Sequence, residues 1–277
     1  MPPIPVALIN WNAIEMTERC LRCLNERTDR SRIAITVVDN GSRDPANQER
    51  LAILRAEGLL DHVVLAGENL GFSGGFNLAM ERTVGEIFCY LSNDCLVEPG
   101  WLDAGLRALA TDPRVAGVCA NVYEEEGRRR VVPDRELRQL YGPIMFIRRA
   151  AWDAVGPFDA ANFSPAYSEE LDWSYRAIRK GYILKLAGGS LAHHVGGYSC
   201  GKNVPRADIH LIRLTHRIKC RLFNWPLGRL CITAWPLYCR EVLAEVRNGT
   251  LPILARAWWK NLTQMPAILA ERRRRLS

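Results

Sequence analysis

The chain has 277 residues, 48% of them hydrophobic, and its 37 Lys+Arg against 30 Asp+Glu leave a formal charge of +7. That length suits one large domain or two small ones, and the composition excludes wholesale disorder and fibrous repeats. The charge is unevenly placed. Residues 1–204 hold 23 basic against 26 acidic side chains, whereas the segment from Pro205 onward holds 14 against 4. A slightly acidic body joined to a basic tail gives only the tail an affinity for polyanionic surfaces.

The first 125 residues alternate strand-like and helix-like segments, which predicts an α/β architecture with a mainly parallel central sheet flanked by helices. Residues 6–10 form a short apolar strand, and 16–24 show helical spacing. The β-branched run 33–39 is a second strand, stopped by Asn40-Gly41-Ser42. A polar helix (45–57), a strand (62–66) and the glycine-rich turn Gly71-Phe-Ser-Gly-Gly75 follow, the turn opening a helix that runs to about Arg82. Next come a strand (86–92) ending in Asn93-Asp94, a helix (101–110) and a strand (115–123). The charged run 124–130 reads as a solvated turn, 142–147 as a strand and 168–180 as a helix with an acidic first turn. Beyond Pro205 the chain becomes Trp- and Arg-rich and helical, punctuated by Pro226, Pro236, Pro252 and Pro266.

No basic segment precedes the first strand, so a signal peptide is not expected. The longest apolar run, residues 230–239, is too short to span a bilayer. Nine cysteines at scattered spacings do not make a disulfide framework, and the lone Cys20/Cys23 pair lies inside a helical pattern, as buried thiols would.

In a parallel sheet ligands bind beyond the carboxyl ends of the strands. Here those ends deliver Asn10-Trp11-Asn12, Asp39-Asn40, Asn69 with the glycine turn, and Ser92-Asn93-Asp94. An aspartate there can accept from a base or ribose, a glycine turn admits a phosphate to backbone amides, and an aspartate with a histidine can hold a divalent cation against a diphosphate. The turn is not G-x-G-x-x-G and follows the third strand, so a dinucleotide site loses its support; no Walker lysine or G-x-S-x-G elbow occurs.

Val6-Ala-Leu-Ile-Asn-Trp-Asn12, Val37-Val-Asp-Asn-Gly-Ser-Arg-Asp44, Asn69-Leu-Gly-Phe-Ser-Gly-Gly-Phe-Asn77, Ser92-Asn-Asp94, Gly142-Pro143 with the strand after it, Val155-Gly-Pro-Phe-Asp159, Ser168-Glu-Glu-Leu-Asp-Trp173 and His194-Val-Gly-Gly-Tyr-Ser199 occur in that order. In order and spacing, residues 4–200 resemble the inverting glycosyltransferase family 2, which has the GT-A fold. The Asn-Trp-Asn opening is most similar to its rhamnosyltransferase-like branch. The resemblance implies that Asp39 holds the nucleoside, with Asn10, Asn12 and Asn69 near base or ribose. Gly71, Gly74, Asn77 and Asn93 would lie along the donor, and Gly142 and Pro143 beside the acceptor. Asp94 and His194, with His193 as the alternative, would hold Mg²⁺ or Mn²⁺. Glu170 would be the general base, with Glu169 and Asp172 as neighbours able to exchange roles with it. Two positions depart from the family pattern: Ser92 replaces the first aspartate of the metal motif, and the base is Glu rather than Asp.

The expected enzyme transfers a sugar, L-rhamnose by the resemblance to that branch, from a dTDP- or UDP-sugar to a saccharide or lipid-linked acceptor of the cell envelope. It would work in the cytoplasm as a peripheral protein of the inner membrane face. Rival readings are a sugar-nucleotide pyrophosphorylase, whose N-terminal phosphate loop is missing, and a degenerate scaffold subunit. The division expected is a catalytic domain over 1–204 and a C-terminal helical extension over 205–277. In the extension Arg206, Arg213, Arg217, Lys219 and Arg221, four of the eight tryptophans and the run 272–275 suit a membrane interface or, alternatively, a packing element. No helix-turn-helix, zinc finger or RNP pattern accompanies the charge, so nucleic acid is not an expected partner.

Overall fold

The computed structural model describes residues 2–124, 130–196 and 204–276. Most of the turn 124–130, and Gly197 and Ser199 of the histidine motif, lie outside the described residues.

Strands β1 (Ile4–Asn10), β2 (Ile33–Asp39), β3 (His62–Leu65) and β4 (Ile87–Leu91) pair in parallel in the order β3-β2-β1-β4. Between them run α1 (Ile14–Arg27), α2 (Ala46–Ala56) and α3 (Gly71–Glu81). β1 is apolar on both faces because both are covered. Val6 and Leu8 enter one core with Cys20, Leu21 and Leu24 of α1, while Ala7 and Ile9 enter the other with Phe76 of α3. That alternation is the period-2 geometry of a strand buried between two helix layers.

The other half of the sheet is mixed, which corrects the mainly parallel expectation for that half. After β5 (Cys95–Val97) and α4 (Trp101–Ala110) come β6 (Val115–Tyr123), β7 (Arg135–Leu137) and β8 (Ile144–Arg148). β8 runs antiparallel between β4 and β6. Helices α5 (Arg149–Val155), α6 (Ala160–Phe163) and α7 (Glu169–Arg179) then lead to β9 (Ile183–His194). β9 is parallel to β6 along one side, while its other side takes β7 at the start and β5 at the end, both antiparallel. Two glycines in β9 explain why its pattern is not strand-like: a Cβ on Gly188 would lie 1.7 Å from the Val132 carbonyl oxygen.

The tail folds into α8 (Arg206–Asn224), a π-turn (Arg229–Thr233), α9 (Trp235–Arg247), α10 (Leu251–Thr263) and α11 (Met265–Leu276). It packs on the body, and a buried cluster of Phe163, Cys220, Phe223 and Ile268 crosses the compositional boundary at 204. Arg275 pairs with Asp159 and Asp172, and Arg272 donates to the Leu222 carbonyl (2.6 Å). Two of the four terminal arginines are therefore internal ties rather than a solvated face. No helix among the described residues is long and apolar enough to cross a membrane.

Candidate active site

Register builds the site. β5 follows Asp94 directly and pairs with the end of β9, setting Cys95 opposite His194 and Leu96 opposite His193. The backbone of Val195 donates to the Asp94 carbonyl (2.9 Å), and His194 Nε2 comes within 3.4 Å of Asp94 Oδ1. His193, one residue back, points the other way, stacking on Tyr123 at 5.3 Å. Ser92 Oγ donates to Asp94 Oδ1 (2.6 Å). Burial raises the Asp94 carboxyl, but the hydrogen bonds from His194 and Ser92 outweigh it and hold the group below the ordinary aspartate range. The same contact to Asp94 pushes the His194 pKa up.

Ligand atoms of Asp94, Cys95 and His194 lie within 4.8 Å of one another. Burial pushes the Cys95 thiol well above its usual pKa, so it stays a thiol. A hard cation would then draw on the Asp94 oxygen and the His194 nitrogen, with ligand oxygens completing its shell. Cys20 of the CxxC pair donates to the Cys95 carbonyl (3.0 Å) and is a buried thiol.

Around Asp39 a buried polar network ties the strand ends together. Asn10 Nδ2 donates to Asp39 Oδ2 (2.9 Å) and Asn47 Oδ1 (3.2 Å), while Asn10 Oδ1 accepts from Thr17 Oγ1 (2.8 Å). Asn93 Nδ2 donates to the same Thr17 hydroxyl (2.8 Å), and the Ser42 backbone donates to Asp39 Oδ1 (3.0 Å). Asn10 and Asn93 are thus buried supports whose amides are taken up by protein, not groups open to a donor. Thr17, Ser42 and Asn47 complete this frame, and nothing in their spacing singles them out. Asn12, at φ 51°, accepts from the Arg43 backbone (2.8 Å) and donates its own N–H to Ser42 Oγ (2.9 Å).

The glycine segment is not a turn but the first turns of α3. Its leading amides are committed: Leu70 donates to Asn40 Oδ1 (3.1 Å), Gly71 to Asn69 Oδ1 (2.9 Å) and Phe72 to the Pro165 carbonyl (2.6 Å). Gly71, at φ +70°, is required because a Cβ would lie 2.7 Å from that Pro165 oxygen. Gly74 accommodates the Leu70 side chain, 2.7 Å from where its Cβ would be. These glycines serve close packing, and the three leading amides are not free for a phosphate. Asn77 is likewise consumed, donating to the Phe158 carbonyl (2.9 Å) and accepting from its N–H (3.0 Å).

The Gly142-Pro143 segment meets the chain just before Asp94. Pro143 accepts from the Ser92 backbone (2.6 Å), and Gly142, at φ +99°, leaves open space where a Cβ would project. Two residues earlier, Leu140 donates to Ser174 Oγ (2.8 Å), which donates to the Glu170 carbonyl (2.5 Å). The start of α7 is thereby fastened to the segment that lines Ser92.

The three acids of that helix separate by environment. Glu169 is buried and Glu170 half-buried, and each keeps a buried oxygen with no hydrogen-bond partner. Burial raises both carboxyls, and the neighbouring Glu170 raises Glu169 further, so the pair holds protons more tightly than ordinary glutamates do. Asp172 cannot exchange roles with them. Both its oxygens are engaged, Oδ2 by Arg176 (2.9 Å) and Oδ1 by Asn224 (2.7 Å) and Arg275. A cavity of about 760 Å³ beside Gly85 and Arg149 lies at the other end of β4 and away from these groups.

A half-parallel, half-mixed sheet with acidic strand ends and an acidic helix start defines a GT-A-like fold. Among solved structures, the chain is similar to GalNAc-T7 with UDP, GalNAc and Mn²⁺ (TM-score 0.67, 14% identity, 82% of this chain), of which it spans about half, 49%. It is also similar to the Pyrobaculum calidifontis mannosyltransferase PcManGT in complex with GDP-Man and Mn²⁺ (TM-score 0.61, 18% identity, 97% and 79% of the two chains). Among curated proteins, glycosyltransferase AglE of Haloferax volcanii is 24% identical over 248 residues, 84% of this chain and 77% of that one. An uncharacterized Mycobacterium tuberculosis protein is 29% identical over 195 residues, 60% of this chain and 70% of that one. The family model for glycosyl transferase family 2 matches residues 6–175, and the chain belongs to that family.

Proposed function

We propose that this chain is an inverting glycosyltransferase. It moves a sugar, L-rhamnose by the resemblance of its Asn-Trp-Asn opening, from a dTDP- or UDP-sugar to a saccharide or lipid-linked acceptor in envelope polysaccharide assembly. The carrying observation is the β5–β9 register that brings His194 to Asp94, against an acceptor segment fastened to the Glu169–Glu170 helix start.

Glu170 accepts the proton of the acceptor hydroxyl as that oxygen bonds to the anomeric carbon from the face opposite the diphosphate. The anomeric carbon–oxygen bond breaks and its electron pair leaves with the nucleoside diphosphate, inverting the centre in one displacement with one base. Asp94 and His194 would hold Mg²⁺ or Mn²⁺, which supplies positive charge opposite the departing diphosphate. Asp39 would accept from the nucleoside, as the family resemblance implies, with its carboxylate oriented by Asn10 and the Ser42 backbone. The basic, Trp-bearing tail associates with the inner face of the cytoplasmic membrane, where a lipid-linked acceptor resides.

Calorimetry with a panel of nucleoside diphosphate sugars, with and without Mn²⁺, tests the donor. Glu170→Gln tests the base: donor affinity should stay within about threefold while transfer falls roughly 10²–10⁴-fold. A protein that binds no donor and releases no sugar would instead be a scaffold.

A further inference from the structure

Helix α9 is inside out. Its inward positions carry acids: Glu241 accepts from Arg221 Nη1 (2.8 Å) and Nη2 (2.6 Å) and pairs with Arg217 (3.2 Å). One turn on, Glu245 is buried, pairs with His210 (2.7 Å) and accepts from Thr250 Oγ1 (2.5 Å). The apolar residues of the same helix face outward. A helix on a water-exposed surface shows the opposite pattern.

The outward face continues into its neighbours. Leu227, Ile232, Trp235, Leu243, Val246 and Trp259 are each more than half exposed, and twelve of the seventeen exposed large apolar side chains among the described residues follow Pro226. Such concentration marks an interaction surface rather than scattered exposure. Charge says which kind. Of the four tail acids, Glu241 and Glu271 are paired with tail arginines and Glu245 is bonded to His210 and Thr250, leaving Asp208 alone exposed and unpaired among the described residues. Arg240, Arg247, Arg256 and Lys260 are exposed beside the apolar residues. An apolar face bordered by unopposed cations complements an anionic lipid surface, and its indoles suit the headgroup level.

We propose that the outer faces of α9 and α10, with the π-turn before them, form a membrane-binding element that inserts into the headgroup layer of anionic phospholipids. The inference rests on the membrane-surface reading above and makes it specific: α9 and α10 meet lipid, α8 is the scaffold behind them, and Arg272 and Arg275 do not take part. The full chain should co-sediment with vesicles of equal parts phosphatidylcholine and phosphatidylglycerol, at least about tenfold more tightly than with phosphatidylcholine alone. The double substitution Leu243→Glu, Val246→Glu adds charge only to the outer face, so it should keep the wild-type urea midpoint and lose about tenfold or more in vesicle affinity. Arg240→Gln with Arg247→Gln should weaken the preference for anionic vesicles while leaving binding to neutral ones unchanged.

Unchanged sedimentation of the folded Leu243→Glu, Val246→Glu variant overturns the proposal. So does a wild-type chain that ignores vesicles but is dimeric by light scattering and becomes monomeric on that substitution, since a second copy would then be the occupant. Donor calorimetry on the same preparations separates the two readings. Vesicle binding without donor binding counts against glycosyl transfer alone, and donor binding without vesicle binding counts against this surface alone.

Discussion

Asp172→Ala should destabilise the protein strongly without removing a catalytic group. The carboxylate has no exposed surface and accepts from Arg176 (2.9 Å), Asn224 (2.7 Å) and Arg275. Removing one partner of a buried ion pair costs about 3–5 kcal/mol, because the other charge is left uncompensated. Arg275 retains Asp159 and Glu271, and Arg176 retains the Val155 and Pro157 carbonyls, so the lower end applies, about 3 kcal/mol. In a chain of this length that lowers the melting temperature by roughly 6–12 °C. Urea unfolding followed by tryptophan fluorescence measures it, and a cycle with Arg275→Gln should give a coupling above about 1 kcal/mol. A loss under about 1 kcal/mol accompanied by abolished transfer would refute the reasoning and return Asp172 to the chemistry.

Asp94→Ala should weaken donor binding about 10–100-fold with Mn²⁺ present and little in EDTA; equal loss in both conditions would remove Asp94 from the cation site. The transfer rate should fall with acidification at a higher pH than an ordinary glutamate predicts, because burial raises Glu170 and only its ionised form accepts the proton. A pH–rate profile whose acid limb lies in the ordinary glutamate range would contradict this. Gly71→Ala should cost at least about 2 kcal/mol in thermal unfolding, from a positive φ combined with backbone crowding. Gly58→Ala, at φ +78° with nothing within 4 Å, isolates the φ contribution and should cost about 1 kcal/mol.

Elements whose residues carry their own signal were legible in the sequence. β2 (Ile33–Asp39) and β6 (Val115–Tyr123) are apolar runs of strand length, and α4 (Trp101–Ala110) has a helical period. β9 was not legible, since glycines and lysine interrupt it and its identity comes from pairing with three distant strands. β5 is three residues long, too short for any pattern, yet it sets the distance between Asp94 and His194. Spacing favours His194 with His193 as the alternative, and it is register that turns His194 to Asp94 and His193 to Tyr123. Polar type alone also cannot tell a support from a ligand-facing group. Asn10, Asn77 and Asn93 have the chemistry of donor contacts, and the fold turns their amides onto its own backbone and side chains. Asp172 has Arg176 one turn along its own helix, a pair legible locally, but its other two partners come from α8 and α11, which no local pattern encodes.

Across the change of composition at Pro205, body and tail share one buried cluster. Phe163, Leu171 and Tyr175 of the body are covered by Phe223 and Ile268 of the tail, and Trp225 Nε1 donates to the Tyr175 hydroxyl (2.8 Å). Asn224 also accepts from Arg179 (2.8 Å) while donating to Asp172, so α8 braces both ends of the helix that begins with Glu169 and Glu170. A 1–204 fragment would return those aromatic and aliphatic faces to water at roughly 1.5–3 kcal/mol for each fully buried side chain. It would also leave Asp172 without two of its three partners. Against a typical total stability of about 5–15 kcal/mol, the fragment is expected to lack a cooperative unfolding transition. A fragment that unfolds cooperatively within about 1 kcal/mol of the full chain would show instead that the tail merely rests on the body. If the tail is required, α9 and the helix that begins with Glu169 and Glu170 share one wall, α8: its Arg221 holds Glu241 of α9, and its Asn224 holds Asp172 of α7.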